Sequence, residues 1–390
     1  MTMKYWKVTL TCSTPVFVGS GEIYEKTQYI YDGQKKRIYF LHENKWASFL
    51  AKHNWIDDFS NELLTPRKSY SLTMYLKQKF DTIDKAVSVL RKEGVIAREE
   101  FCAMGKNGPS NIMMFVKDIE GNPYIPGSSV KGAFRTAILA YILKKNHVHT
   151  YSKYWDLIEE AITAKTADDI ETKIGKCMGD LEKSLTIPPH MKKEEEMVHS
   201  YFRGLQVGDA VLTKGKLSIV QKLDLSIGEE KPHKLVKVCR EALESGTVLE
   251  FRLGIDDSEE GLGHFGIYDF ESLQKVLQDF VNFQYEILKY PFEKQSSEAR
   301  EALKDICQAA QADLLLGGGT GFINKTILYM LAPDRQRAVN VIKKYMEIKF
   351  PDGKHSEKDE KIAPHTLKLV KDRSYTCLLG CCWLEGEPLC

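Results

Sequence analysis

The stretch YIPGSSVKGAFRTAIL, residues 124–139, decides how this chain is read. Val130, Ala133, Phe134, Ala137, Ile138, Tyr141 and Ile142 recur at three- and four-residue steps, which predicts a helix from Ser128 to about Lys145 with that stripe buried. Pro126 and Gly127 stop the segment before it, and Ser128 or Ser129 is placed to cap the helix by accepting from its free N–H groups. A helix start of this kind favours an anion through its dipole and unpaired N–H groups. Ser128, Lys131 and Arg135 fall within about 60° of one another around the axis at about 3.6 residues per turn. Gly132 beside them admits a second backbone. A phosphate cradle and a capped helix with two solvated cations both fit these residues.

Outward from the helix, KYWKVTLTC alternates, with Trp6, Val8, Leu10 and Cys12 on one face, so it predicts a half-buried first strand. QYIYDGQKKRIYFL predicts a hairpin opened by Asp32-Gly33, and residues 43–100 are mainly helical in pattern. LQVGDAVLTKGKLSIVQKLDL (205–225) predicts two strands around Lys214-Gly215, HKLVKVCREAL (233–243) a short helix, and GTVLEFRLGI (246–255) a strand. The resulting order is β-α-β-β-α-β, an α+β, ferredoxin-like or RNA-recognition-like arrangement spanning residues 1–255. Two insertions interrupt it, at roughly 20–118 and, helical and charged, at roughly 151–200. Residues 256–390 predict a second, smaller αβ unit: helices over 269–313 and 334–347, then strands at HTLKLVK and CLLGCCWLE.

Composition narrows the function classes. Fifty-five Lys plus Arg against 54 Asp plus Glu leave no general field for a polyanion, so any nucleic acid must meet a local patch. The nine cysteines are scattered without a C-x-x-C pair, which points to a reduced, cytoplasmic setting and to no metal. The apolar run CLLGCCWL is too short to cross a bilayer, and no signal peptide is expected.

A second anion candidate is LLLGGGTGFINKTIL, where successive glycines permit positive φ and expose N–H groups. From Gly319 it runs close to a P-loop, but Asn324 stands where that motif needs glycine, and the segment before it has a helical pattern. His147 and His149 lack further ligands for zinc, while His264 in GLGHFG has the placement of a general base or of a solvent-facing loop residue. No G-x-S-x-G or H-E-x-x-H occurs, which tilts the reading away from an enzyme.

Together, IPGSSVKGAFRTAI (125–138), LLGGGTGF (315–322) and the opening LTCSTPVFVGSGE resemble the RAMP superfamily of CRISPR-associated RNA-binding proteins. The late APHTLKLVK and LGCCWLE are similar to its type III-A (Csm) branch, the subunit that caps the backbone filament near the guide 3′ end. The resemblance implies a non-catalytic subunit of an antiviral effector that holds CRISPR RNA. It would meet target RNA through the guide duplex, dock on a neighbouring backbone subunit and assist guide maturation by positioning a host nuclease. It implies no cofactor. The RNA-binding residues expected are Gly19, Ser20, Gly21, Ser128, Ser129, Lys131, Arg135, Gly317, Gly318, Gly319 and Lys325. Filament-forming relatives cut target RNA with an early-loop aspartate; here that loop offers Glu22 and Glu25 instead. The competing expectation is a metal-independent endoribonuclease that processes the precursor with His264 or His147.

Overall fold

The computed structural model describes residues 3–64, 70–102, 104, 108–146, 151–188, 199–231, 238–294, 296–307, 312–372 and 375–389. The strands are β1 (Met3–Cys12), β2 (Gly19–Glu25), β3 (Tyr29–Asp32), β4 (Arg37–Leu41), β5 (Ile96–Phe101), β6 (Asn111–Phe115), β7 (Tyr124–Ile125) and β8 (Leu205–Val207). They continue with β9 (Ala210–Lys214), β10 (Leu217–Ser226), β11 (Val238–Leu243), β12 (Val248–Asp256), β13 (Leu314–Leu315), β14 (Thr366–Asp372), β15 (Tyr375–Cys377) and β16 (Cys381–Leu389). The helices are α1 (Glu43–Lys52), α2 (Ile56–Leu64), α3 (Leu72–Phe80), α4 (Ile83–Lys92), α5 (Gly127–Lys145) and α6 (Ser152–Ala161). After them come α7 (Ala167–Thr186), α8 (Phe270–Phe292), α9 (Ser297–Leu303), α10 (Leu328–Leu331), α11 (Arg335–Lys349) and α12 (His355–Lys358).

The first strand behaves as its alternation dictates: Trp6, Val8, Leu10 and Cys12 are buried and Lys7 is exposed. It lies between β12 and β16, antiparallel to both, in a sheet ordered β13-β16-β1-β12-β9-β7. Against this sheet α5 turns its expected stripe, with Val130, Phe134, Ala137, Ile138 and Ile142 buried, and α8 packs beside it. Asp269 starts α8 with a reciprocal cap, its carboxylate accepting from Ser272 N while Ser272 Oγ accepts from Asp269 N.

Two expectations are corrected here. Residues 238–243 form strand β11, not a helix, because β10 and β6 supply backbone partners on both its edges. The helix that follows β12 is α8, and the strand that completes the sheet beside β1 is β16, from the far end of the chain. A division at residue 255 therefore cuts through a shared sheet. The two strands around Gly215 form as expected but enter different sheets: β9 pairs with β12, whereas β10 pairs with β11 and β14.

The second sheet runs β15-β14-β10-β11-β6-β2. The predicted hairpin is β3–β4, joined by β5 in a third sheet that carries α1–α4 on a core of its own. Glu241 of β11, fully buried, ties that insertion down: it accepts from Arg98 of β5, from Lys117 Nζ at 3.0 Å and from Phe115 N at 3.0 Å. The helical insertion is tied to α11 by Arg337 on Glu159 and by Lys349 and Tyr345 on Glu171. No helix among the described residues is long and apolar enough to cross a membrane.

Candidate nucleic-acid interface

The start of α5 is already occupied. Gly127 N donates to Asp209 Oδ1 at 2.7 Å, so a carboxylate of the β8–β9 turn answers the helix dipole. A Cβ at Gly127 would lie 2.3 Å from Val207 O, which is why glycine stands there. Pro126 is the N-cap and, being proline, offers no side-chain cap, and the helix starts at Gly127 ahead of both serines, which corrects the capping role expected of Ser128 and Ser129. Lys131 Nζ donates to Leu205 O at 2.6 Å, and burial, then Arg135 beside it, holds its ammonium below the usual lysine range. Arg135 pairs with Glu182 of α7 and lies 6.0 Å over the Phe202 ring. The two cations expected to meet RNA also brace α5 against its protein neighbours.

The opposite side of the same helix lines a cleft of about 370 Å³. Ser129, Gly132 and Thr136 form one wall, Leu277, Phe280 and Gln284 of α8 another, and Val18, Gly19, Gly317, Gly318 and Lys325 the third. Five expected residues therefore meet: Gly19, Ser129, Gly317, Gly318 and Lys325. Ser20, Gly21, Ser128, Lys131, Arg135 and Gly319 do not line it. Gly19 to Glu25, expected as a loop, is the exposed edge strand β2, paired with β6. Two buried amide oxygens of this cleft's residues, Gln284 Oε1 and Asn324 Oδ1, have no hydrogen-bond partner among the described residues.

The glycine loop has the backbone the sequence predicted, with φ of +89° at Gly317 and +85° at Gly319. It is also stitched down. Gly318 N donates to Phe17 O at 2.6 Å, so one of the expected anion-binding N–H groups is engaged within the chain. Strand β13 precedes it rather than a helix, and a short 3-10 turn over Ile323–Lys325 follows it, so no long helix continues from Lys325 as a P-loop requires. Asn324 Nδ2 donates back to Thr320 O at 2.6 Å and closes the loop on itself.

Beneath the loop is a cationic group that sequence reading missed. The Arg240 guanidinium carbon lies 3.3 Å from the place of a Cβ on Gly319 and 5.4 Å from the Phe17 ring centroid. Lys222 and Lys368 each lie 3.2 Å from Asp224. Burial depresses Arg240, Lys325 and Lys368 alike, with Asp224 opposing the effect at Arg240 and Lys368. Lys325 is exposed, yet the cleft walls and then Arg240 still disfavour its charge. Arg240 acts on both Lys325 in the cleft and Lys368, which with Lys222 and Asp224 lines the adjoining cavity, so positive charge runs from one to the other. Arg240 was hidden in the segment read as a helix, and no motif singles out the two lysines within their strands.

Of the competing catalytic residues, His264 is exposed and stacks on Tyr201 with ring centroids 4.1 Å apart and planes at 5°. It does not line the cleft. His147 and His149 lie outside the described residues.

Known proteins resemble the chain over most of its length. A Csm5 protein of Enterococcus italicus is 25% identical over 358 residues, covering 86% of this chain and 83% of its own length. A Csm5 of Streptococcus thermophilus is 24% identical over 374 residues, covering 90% and 92%. A chain in the cryo-EM structure of a type III-A Csm–crRNA–target RNA ternary complex superposes with a TM-score of 0.62 at 19% identity, covering 98% of this chain and 100% of that one. The crystal structure of T. onnurineus Csm5 gives a TM-score of 0.55 at 16% identity, covering 88% and 94%. The model of the RAMP superfamily matches residues 9–324, from the first strand to the glycine loop, and the chain belongs to that superfamily.

Proposed function

We propose that this chain is a non-catalytic CRISPR RNA-binding subunit of a type III-A (Csm) effector complex, and that the cleft between α5, α8 and the glycine loop holds the guide's sugar–phosphate backbone. The observation that carries the reading is the convergence of Gly19, Ser129, Gly317, Gly318 and Lys325, three distant segments, on one cleft. Lys325, with Arg240 behind it, offers charge to phosphate without reading sequence.

Relatives named Csm5 across most of the chain's length, and a structural neighbour from a complex containing crRNA and target RNA, support the assembly named here. On this reading the chain caps the filament at the guide 3′ end and docks on the last backbone subunit. Its insertion reaches toward the guide–target duplex, and it assists maturation by positioning a host nuclease. A ferredoxin-like core fits the order β1, α5, β9, β12, α8, β16 with spatial order β16-β1-β12-β9. Glu22 and Glu25, exposed on an edge strand where filament subunits of the superfamily carry a cleaving aspartate, support a binding rather than a cutting role.

The test is RNA binding across salt concentrations by the wild-type chain and by Lys325→Ala with Lys368→Ala. Binding of unrelated RNA sequences should weaken alike, and the salt slope should flatten by about one unit for each phosphate no longer held. Unchanged affinity and slope in the folded double variant reject the placement.

A further inference from the structure

We infer that His355, Asp359 and His365 form a binding site for a single divalent d-block cation, with zinc the best match to the ligand set. His355 opens α12 and Asp359 ends it four residues later, so the two side chains share one face. His365 arrives from the extended segment after Pro364 that leads into β14. The imidazole and carboxylate ligand atoms of the three all lie within 4.8 Å of one another. His355 Nδ1 is 3.0 Å from Asp359 Oδ2, His365 Nδ1 adjoins Asp359 Oδ1, and His365 N donates to that same oxygen at 3.0 Å.

Charge and burial favour a cation here. The three side chains are 9%, 0% and 6% exposed, and the salt bridges of Asp359 among the described residues are to these two imidazoles. A carboxylate is held in the interior between two imidazoles, and buried charges are normally paired or bound to metal. Two nitrogens and a carboxylate oxygen form the three-ligand set that zinc accepts with a fourth position open. Magnesium and calcium prefer all-oxygen shells. A cavity of about 680 Å³ is lined in part by His355 and His365, so the histidines border open space. The alternative is a metal-free hydrogen-bonded trio in which Asp359 simply joins α12 to β14. The site stands independently of RNA binding.

The experiment uses the full chain, stripped by chelator dialysis, reloaded with zinc or cobalt, and assayed by mass spectrometry of bound metal and competition with a chromophoric chelator. One equivalent of zinc is expected, with affinity falling about 100-fold or more in His365→Ala, and thermal stability of the wild type rising with zinc. The cobalt form of the wild type should show visible ligand-field bands without thiolate charge transfer, a readout that stands even if His365→Ala does not fold. Substoichiometric metal overturns the site, as do unchanged affinity in folded His365→Ala and a thiolate-dominated cobalt spectrum that places the metal on cysteine.

Discussion

Gly317 and Gly132 line the same cleft but differ in what a methyl group would meet. At Gly317 the backbone is left-handed and a Cβ would sit 2.2 Å from Phe17 O, whereas at Gly132 nothing lies within 4 Å. Gly317→Ala should therefore destabilise by about 2 kcal/mol or more. Gly132→Ala should stabilise by about 0.5–1 kcal/mol, the helix-propensity gain alone. Urea denaturation of the two variants checks both signs. Asp305 gives a pH test: burial pushes its carboxyl up to about 6, opposed by a hydrogen bond from Leu378 N. A carboxyl raised on folding is at its most favourable at low pH and loses that contribution as pH climbs from about 4 to its folded value. Asp305→Asn should thus stabilise by about 1–2 kcal/mol at pH 7, with the gain vanishing near pH 4 in denaturation curves. Single residues were only partly legible. Glycine and serine in unusual runs announced the cleft, but which cations face it depends on tertiary partners. Leu205 and Glu182 claim Lys131 and Arg135, and no local pattern foretells that.

Among the elements, α5 was legible because its apolar stripe persists over five turns, long enough to exclude a strand. Residues 238–243 of the segment read as a helix were not, since a short apolar run fits both periods and only the flanking β10 and β6 decide; residues 233–237 lie outside the described residues. Gly215, at φ +111°, marks the turn between β9 and β10 but cannot tell that each joins a different sheet. The insertion carrying α1–α4 has its own core and hangs on Glu241. Breaking a buried pair leaves uncompensated charge, so Glu241→Ala should cost about 3–5 kcal/mol. It should also split thermal unfolding into two transitions by calorimetry, the insertion melting apart from the main sheets. A single transition at the wild-type temperature would show that other interactions hold the insertion.

Across the whole molecule, near-neutral charge and a positive cleft are compatible because only one face need meet a polynucleotide. The closing of the first sheet by β16 brings the chain's last strand beside its first, and β13, paired with β16, leads straight into the glycine loop. The cleft is thus a product of long-range pairing, which is why its members were recognisable in the sequence but their grouping was not. Its proposed role in holding RNA is tested most directly by photo-crosslinking a guide carrying 4-thiouridine near its 3′ end within the reconstituted complex, followed by peptide mapping. The account predicts crosslinks on the peptides containing Ser129–Thr136 and Gly317–Lys325, abolished in Lys325→Ala with Lys368→Ala. Crosslinks confined to other surfaces of the chain, with these two peptides unlabelled, would contradict it.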